Sequence, residues 1–320
     1  MKIKNSPYNL IESIGYLKRN HFGINTRKNR GIASYCEKSF TLNPGINPQV
    51  RIAFIGDMMD MAGKNISFGK DIKAFIKNCD YLIGNFEATI TAEKGPPFSQ
   101  RHSPQTLDAL ADLFIPQKIY LSIANNHAGD FGHETWLDSV RQIKEKGFNV
   151  FGTKQKPYIE LDSLIRITTG TKWTNQPCDY IAQLDNCLES IDPKCINILY
   201  PHWGYELEVF PRPETVKMAK NLIHKFDAII GHHSHYPQAV TKVKSDELDD
   251  FTYGLVAYSL GDFCVWEEYD HYLYGIILKL DIGPTAQGRI QIGQVEWQFT
   301  TCQARNETNL ETILTDKIPY

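Results

Sequence analysis

The chain lacks the features that mark several classes of protein. It has no run of about 20 apolar residues, and residues 1–31 hold no apolar segment long enough for a signal-peptide core. We therefore predict no membrane-spanning segment and expect a cytoplasmic protein. Its 7 cysteines include no Cys-x-x-Cys pair, which argues against a disulfide framework and against a zinc knuckle. Most of these cysteines are expected to be buried thiols.

A strong excess of charge of either sign is missing as well. The chain has 34 Lys and Arg against 37 Asp and Glu, giving a net charge of -3 and a pI near 6.4. Such a protein has no basic field to attract nucleic acid, so we expect no nucleic-acid partner. The 320 residues are 42% hydrophobic and 22% charged, a composition typical of a soluble globular protein with a large core.

Apolar runs and segments of helical period alternate from Val50 onward. This order predicts a mainly parallel sheet that is covered on both faces. After residue 238 the apolar residues recur at period two, which predicts antiparallel strands in a second sheet beside the first. We predict one domain at 49–300, an N-terminal extension of no clear period at 1–48 that wraps it, and a polar tail at 301–320 with at most one helical turn.

Polar side chains follow five of the predicted strands. Ligands bind beyond the carboxyl ends of strands in open parallel sheets, so these side chains are expected to meet at one edge. Each alone also has an ordinary interpretation as a turn or capping residue. Five in series favour a site for Mn, Fe, Zn or Mg, which take oxygen and nitrogen ligands. The five segments are "GDMMD" (56–60), "GNFE" (84–87), "ANNHAGD" (124–130), "PHWGYE" (201–206) and "GHHSHYPQ" (231–238).

Three of the chain's 10 histidines lie within four positions, in "HHSH". Alternation along an extended segment would send His233 and His235 to one side as metal ligands. His232 would then face the other way, in a structural role or near the site. Two divalent ions can share a hydroxide, lower the pKa of that water and hold the oxygens of a phosphoryl group during in-line attack. A protonated histidine nearby can protonate the leaving oxygen.

In this order, the motifs "NFEATIT", "ANNHAGDFG", "HWGYE", "IIGHHSHYPQ" and "YSLGDF" resemble those of the calcineurin-like metallophosphoesterases. More closely, they are similar to the CapA proteins of capsule biosynthesis, which are associated with poly-γ-glutamate synthesis. The resemblance covers about residues 50–265. It implies a four-layered α/β/β/α sandwich and a two-metal phosphoesterase site.

The resemblance also implies roles for individual residues. It implies that His127 faces the substrate as a general acid and that Glu87 bridges the two ions. Residues that would orient the ligands are Asp130 and Glu206, within the motifs, with His232 and Asp262 nearby. The implied metal ligands are Asp57, Glu87, Asn126, His202, His233 and His235.

Four further positions bear on the predicted site. Met59 stands where the wider superfamily has a histidine, and a thioether does not replace imidazole on a hard ion. One metal site is therefore expected to be weak or short of a ligand, unless Asp60 compensates. Asp262 stands where the family commonly has asparagine. Arg101, in the loop after the second strand, is a candidate phosphate contact because its guanidinium binds such oxygens in pairs; the alternative is a solvated loop arginine.

Two functions compete at this stage. The first is a metal-dependent phosphomonoesterase or phosphodiesterase that acts on a phosphorylated small molecule or a surface-polymer precursor. The second is a non-catalytic accessory protein of a poly-γ-glutamate or polysaccharide pathway, which the missing histidine at Met59 favours. A purely structural α/β protein is a third, weaker reading. Export of a polymer would require a membrane-bound biosynthetic partner.

Overall fold

The computed structural model describes residues 8–23, 35–244 and 253–318. The helices are α1 (Leu10–Phe22), α2 (Lys70–Ile76), α3 (Gln105–Leu113), α4 (Gly132–Glu145), α5 (Leu184–Cys187) and α6 (Pro213–Leu222). The strands are β1 (Ser39–Thr41), β2 (Val50–Met58), β3 (Asn65–Phe68), β4 (Tyr81–Phe86), β5 (Thr89–Ile90), β6 (Arg101–His102), β7 (Ile119–Ser122), β8 (Asn149–Phe151), β9 (Tyr158–Leu161), β10 (Ile165–Thr171), β11 (Ile196–His202), β12 (Ala228–Ile230), β13 (Val240–Lys244), β14 (Tyr253–Ala257), β15 (Asp262–Cys264), β16 (Tyr274–Pro284), β17 (Ile290–Ala304) and β18 (Asn309–Thr315).

Two sheets face each other across an apolar core. The larger has the order β3-β18-β17-β16-β2-β4-β7-β8, with β1 on β17 and β15 on β2, and the smaller has the order β13-β14-β12-β11-β10-β9. Phe54 of β2 and Tyr200 of β11 are fully buried in the core between them. The Tyr200 hydroxyl donates to the carbonyl oxygen of Ile55, so a hydrogen bond also joins the sheets.

Helices cover the outer face of each sheet. Trp136, Val140 and Ile143 of α4 belong to an apolar cluster that includes side chains of α2, α3 and the larger sheet. Helices α5 and α6 contribute Leu184 and Ala219 to a second cluster with the smaller sheet. The four-layered α/β/β/α sandwich is confirmed, and each sheet is covered on both faces as predicted, by helices on one face and by the other sheet on the opposite face.

The strands divide between the sheets differently from the prediction. Parallel strands occur in both: β2, β4, β7 and β8 in the larger sheet, and β10, β11, β12 and β14 in the smaller. The strands after residue 238 do not form a sheet of their own, because β13 and β14 join the smaller sheet while β15 to β18 join the larger. Period-two alternation identifies a strand, but its partners are set by contacts distant in sequence.

The predicted polar tail at 301–320 is wrong for the residues described. Strand β17 continues to Ala304, and β18 pairs antiparallel with β17 and parallel with β3. Leu310 and Thr312 point into the protein and are almost fully buried. The polar composition of this segment hid a period-two pattern with one buried face.

The N-terminal extension contains a regular helix, contrary to the prediction of no clear period. Helix α1 begins after Asn9, whose side chain accepts a hydrogen bond from the Glu12 backbone N–H, as an N-cap residue does. Strand β1 pairs with β17. Residues 1–7 and 24–34 of the predicted extension lie outside the described residues. Nowhere in the described ranges is a helix long and apolar enough to cross a bilayer.

Candidate metal centre

Loops that follow strands of both sheets meet at one edge of the sandwich. Asp57 and Glu87 come from the larger sheet, at the end of β2 and just after β4. His202 ends β11 of the smaller sheet, and the histidine loop follows β12. The structure brings all six predicted metal ligands together and buries them: Asp57, Glu87, Asn126, His202, His233 and His235.

Asp57 is fixed by the close approach of two chain segments. A Cβ atom on Gly56 would lie 1.9 Å from the Gly261 carbonyl oxygen, so only glycine fits before the aspartate. The Asp57 backbone N–H donates to that oxygen at 2.9 Å. The side chain accepts from the Asn85 amide at 2.7 Å and from the His233 backbone N–H at 2.7 Å.

Glu87 lies at the middle of the cluster. Its Oε1 is buried and makes no hydrogen bond within the described chain. The Nε2 atoms of His202, His235 and His127 surround it at 3.5, 3.8 and 4.0 Å. These distances are at or beyond the limit of hydrogen bonding, but donors that share an ion at about 2.1 Å lie roughly 3 to 4 Å apart. The spacing fits a carboxylate that bridges cations.

Two groups of donors flank this oxygen. Asp57, Glu87 and His235 place one ligand atom each within 4.8 Å of one another, and Glu87 forms a similar group with His202 and His233. Asn126 Oδ1 lies 2.6 Å from His202 Nε2 and so joins the second group. The two groups share Glu87, as the resemblance implied.

The histidine loop differs from the extended segment that the alternation predicted. His233 and His235 have φ of 95° and 53°, left-handed conformations that are uncommon and costly for non-glycine residues. This bend still brings both rings into the cluster. It also turns His232 inward, with Nδ1 3.0 Å from Asp57 Oδ1 and 2.8 Å from His202 Nδ1. The prediction that His232 faces away is wrong, because the segment is not a strand.

Burial sets the protonation of the cluster. It raises the pKa of Glu87 well above the usual value, and the charge of Asp57 adds to this effect. Burial and the neighbouring histidines lower the pKa of His202 and His233 well below 6.5. Although burial acts in the opposite direction, His232 holds the pKa of Asp57 below its usual value. Neutral imidazoles are the form that binds metals.

The unpartnered atoms test whether cations fit. Both ring nitrogens of His233, Asp262 Oδ2 and Glu87 Oε1 are buried without a hydrogen-bond partner among the described residues. Buried polar atoms are seldom left in this state. Carboxylate, amide and imidazole donors at these spacings suit Mn, Fe, Zn or Mg, so the residues present fit the expected metal site.

Asp262 holds one of the candidate ligands in place. Its Oδ1 lies 2.9 Å from His235 Nδ1, which leaves Nε2 of that ring facing Glu87. Burial lowers the pKa of His235, but the charge of Asp262, its hydrogen bond to the ring and the charges of Asp57 and Glu206 together raise that pKa to about 9. A cation at Nε2 would therefore displace a proton. The predicted orienting position of Asp262 agrees with this contact.

His127 is held by Asp130 in a similar way. Its Nδ1 lies 2.6 Å from Asp130 Oδ2, which also accepts from the Gln100 backbone N–H at 2.9 Å. The other ring nitrogen, Nε2, faces Glu87 and lies 3.4 Å from the Asn175 amide nitrogen. The imidazole is thus aimed at the cluster by a carboxylate behind it.

A cavity of about 580 Å³ opens beside the cluster. Helix α1 forms one wall, and the loop 97–100 forms another. Neither Lys nor Arg occurs among the lining residues in the described part of the chain. Those residues are Tyr8, Ser13, Tyr16, Leu17, Asn20, Met59, Pro97, Phe98, Gln100, His127, Asp130, Asn175, Gln176, Glu206, His235, Glu267 and Tyr272.

Two candidates lie away from the cluster. Arg101 donates to the Glu93 carbonyl oxygen at 3.0 Å and does not line the cavity, so the predicted phosphate contact gains no support from the geometry. Asp60 accepts from the Ala62 backbone N–H at 2.7 Å, which makes it a turn residue. It joins none of the candidate metal groups and does not compensate for Met59.

Several site residues escaped the sequence reasoning. Asn85 donates to both Asp57 and Glu87, and Asn125 donates to the Phe86 carbonyl oxygen beside them. Asn85 lies two residues before Glu87, which was the available signal for a shared face. The wall formed by α1 was missed too, although Asn9 and Glu12 have the spacing of a capping box.

An α/β/β/α sandwich with carboxylates, amides and imidazoles gathered at its shared edge has the metallophosphoesterase-like fold. Residues 51–266 match the family model described as bacterial capsule synthesis protein PGA_cap. This segment is more than half of the chain, and the chain belongs to that family, which acts in capsule biosynthesis. The resemblance to CapA proteins is confirmed.

The chain is also similar to two CapA proteins. It is 26% identical over 258 residues to the capsule biosynthesis protein CapA of Bacillus anthracis, covering 68% of this chain and 60% of that protein. It is 20% identical over 280 residues to the PGA biosynthesis protein CapA of Bacillus subtilis (strain 168), covering 76% of this chain and 70% of the relative. The match thus spans about 60% of the length of the B. anthracis relative.

Proposed function

We propose that the protein is a metal-dependent phosphoesterase that serves the biosynthesis of a capsule or another cell-surface polymer. The observation that carries this proposal is the position of Glu87 Oε1, which is buried and unpartnered in the described chain and faces three imidazole nitrogens at 3.5 to 4.0 Å. The family supports the pathway, and the donor set supports the chemistry.

The residues that would hold the cations divide into two sets. Asp57, Glu87 and His235 form one, and Asn126 and His202 with His233 and Glu87 form the other. When bound, the cations offset the charge of the phosphoryl oxygens and acidify a water. The protein supplies the positions of these donors through Asn85, Asp262 and the strained histidine loop.

The charge of the cavity supports a role for cations. Asp130, Glu206 and Glu267 line it, and no lining residue within the described ranges is a lysine or arginine. Like charges repel more strongly where water is scarce, so a phosphoester would be rejected by these walls alone. Cations held by the cluster would reverse the sign of the field at its base.

His127 would act as the general acid. Asp130 holds Nδ1, so a proton on Nε2 points toward the cavity. When the bond between phosphorus and the leaving oxygen breaks, that oxygen takes the proton from Nε2, while a water oxygen forms the new bond to phosphorus and releases its own proton to solvent. The contact with the Asp130 carboxylate holds the ring in orientation for the transfer.

The cavity also constrains the substrate. A volume of about 580 Å³ exceeds what a lone phosphate fills and lies within the range of small-molecule sites. Tyr8, Tyr16 and Tyr272 line its walls. We propose a phosphorylated small molecule, or the phosphorylated end of a surface-polymer precursor, as the substrate.

One observation favours a second candidate, a non-catalytic accessory protein of the same pathway. Met59 is 3% exposed and lies in an apolar cluster with Leu207, Val265 and Tyr272. It offers no hard-metal ligand where the wider superfamily has an imidazole, so the cation bound by Asp57 would be held with fewer donors.

Turnover by purified protein separates the two. Monoester and diester aryl phosphates would be supplied with Mn²⁺, Fe²⁺, Zn²⁺ or Mg²⁺, with His235→Ala as the test variant and His224→Ala, on an exposed position, as its control. We expect metal-dependent hydrolysis that chelation abolishes, that His235→Ala loses and that His224→Ala keeps. No turnover above His235→Ala, together with fewer than one ion bound per chain in saturating Mn²⁺, would favour the accessory protein.

A further inference from the structure

A fourth carboxylate faces the histidine loop from the side of α1. Glu206 places one carboxylate oxygen within 4.8 Å of a ring nitrogen of both His233 and His235. Its Oε2 is buried and has no hydrogen-bond partner in the described part of the chain, and the same is true of both ring nitrogens of His233. His233 is completely buried. Unpartnered buried donors aimed at a carboxylate point to a shared ligand.

Helix α1 and the residue before its N-cap hold Glu206 by its backbone. The Tyr8 hydroxyl accepts from the Glu206 N–H at 3.1 Å, and Arg19 Nε donates to the Glu206 carbonyl oxygen at 2.8 Å. Tyr8 also makes a hydrogen bond to the Glu206 side chain. The phenol therefore contacts both the backbone and the carboxylate of this residue.

The helix itself is attached on both sides of the cavity. Arg212 joins α1 to α6, with bonds of 2.8 to 2.9 Å to the Glu12 carboxylate and bonds to Glu208. On the opposite side, the Tyr272 hydroxyl donates to Asn20 Oδ1 at 2.7 Å. Docking of α1 therefore fixes the loop that carries Glu206. The family match begins at residue 51, so α1 itself lies outside it.

The loop of Glu206 is also bonded directly to the histidine loop. The Leu207 backbone N–H donates to the Ser234 carbonyl oxygen at 2.8 Å, which ties the two segments between His233 and His235. The group of Asp57, Glu87 and His235 offers three donors, one fewer than the tetrahedral minimum of most such ions. Glu206 is the further carboxylate that shares a candidate metal group with His235.

We propose that Glu206 is a cation ligand and that α1 positions it, so that docking of the helix and binding of the metal stabilise each other. The inference rests on the proposed metal centre. It adds a carboxylate that completes the donors around His235, and it makes an N-terminal segment outside the family match part of the site. The two effects are reciprocal, because a cation that binds more tightly when α1 is docked must in turn stabilise the docked helix.

A calorimetric titration with Mn²⁺ alone tests whether Glu206 is a cation ligand. We expect Glu206→Gln to weaken Mn²⁺ binding at least 10- to 100-fold, the loss typical of a changed metal environment. Glu214→Gln, an exposed glutamate in the first turn of α6, is the matched control and should bind as the wild type does. Thermal unfolding in chelator verifies that both variants fold equally well.

The positioning role needs separate measurements. Tyr8→Phe should weaken Mn²⁺ binding by about three- to tenfold, the value of one hydrogen bond. Added Mn²⁺ should slow tryptic cleavage after the exposed Lys18 of α1 in the wild type and not in Glu206→Gln. A merely structural helix would not show this dependence on metal.

The outcomes separate the two proposals. If the wild type binds Mn²⁺ and Glu206→Gln binds it equally well, the ligand is wrong while the proposed function stands. Suppose that Glu206→Gln binds Mn²⁺ more weakly, but that Mn²⁺ does not change the rate of cleavage after Lys18 and Tyr8→Phe binds Mn²⁺ as the wild type does. The role assigned to α1 is then overturned. If the wild type binds no Mn²⁺, Fe²⁺, Zn²⁺ or Mg²⁺, both proposals fail together.

Discussion

Nδ1 of His235 and Oδ1 of Asp262 lie 2.9 Å apart, and this contact joins the loop after β12 to the first residue of β15. It fixes the orientation of the imidazole, since the ring nitrogen that is not bound to Asp262 is the one that faces Glu87. A carboxylate behind a ligating histidine commonly strengthens the metal site.

Loss of the charge at Asp262 should weaken metal binding. We expect Asp262→Asn to lower the Mn²⁺ affinity about 10- to 100-fold, because the amide cannot support a basic imidazole as a carboxylate does. Calorimetric titration measures the effect. Asp112→Asn, whose side chain is 72% exposed, is the control, and equal affinity in the two variants would contradict the role assigned to Asp262.

Replacement of His127 should affect proton transfer without loss of metal. We expect His127→Gln to reduce kcat by about 10²- to 10⁴-fold for alkyl phosphates, whose leaving oxygen needs a proton. The loss should be much smaller for a nitrophenyl phosphate, whose leaving group departs unprotonated. Measured rates on both substrates and the metal content of the variant test this, and loss of bound metal would instead identify His127 as a ligand.

His102 should make the folded protein sensitive to mild acid. It is buried, its Nε2 lies 3.1 Å from the Met58 carbonyl oxygen, and burial lowers its pKa to about 4. Between pH 6.5 and 4 the His102 imidazole is protonated in the unfolded chain but not in the folded chain. The stability of the fold therefore falls as the pH falls. The shift predicts that, between pH 7 and pH 5, the unfolding free energy of His102→Gln falls by about 2 kcal/mol less than that of the wild type.

Urea unfolding at the two pH values measures that difference. The comparison is made between wild type and variant because other buried histidines, His202 and His233 among them, add to the absolute slope. An identical change of unfolding free energy in the two proteins would show that His102 does not contribute.

The C-terminal strand should matter to stability. Leu310 of β18 is 1% exposed, and Leu310→Ala is expected to cost about 2 to 5 kcal/mol of unfolding free energy, as deletion of a buried leucine side chain usually does. Leu314→Ala, on the same strand but only partly buried, should cost less. Equal midpoints for Leu310→Ala and the wild type would mean that this segment does not pack as described.

Local sequence patterns predicted the residues of the site better than they predicted the topology of the sheets. Each ligand is adjacent to a strand that its own apolar run identifies, and parallel strands necessarily carry their ends to one edge. Asp57 and Glu87 could therefore be placed together from the sequence, whereas His202 ends a strand of the other sheet. The assignment of strands to sheets could not, since β16 pairs with β2 across more than 200 residues, and no local period encodes such a partner.

The remaining errors have local physical causes. His232 was misplaced because alternation assumes an extended backbone, whereas His233 and His235 adopt left-handed conformations that a sequence does not announce in non-glycine residues. The wall formed by α1 was missed because its apolar residues are largely exposed; Leu10 and Ile11 are 78% and 79% accessible. Its attachment depends on Arg19 and Arg212, whose partners are distant in sequence.

Strand β16 lies between β17 and β2 in the larger sheet, yet it begins at Tyr274, after the family match ends at residue 266. A recombinant fragment trimmed to the family boundaries would thus lose its central strand. The open edge of β2 would present unpaired amides beside a bare apolar surface, which is a template for intermolecular association. Such a fragment should be recovered as aggregate, and dissection of this protein must retain the segments on either side of the matched region.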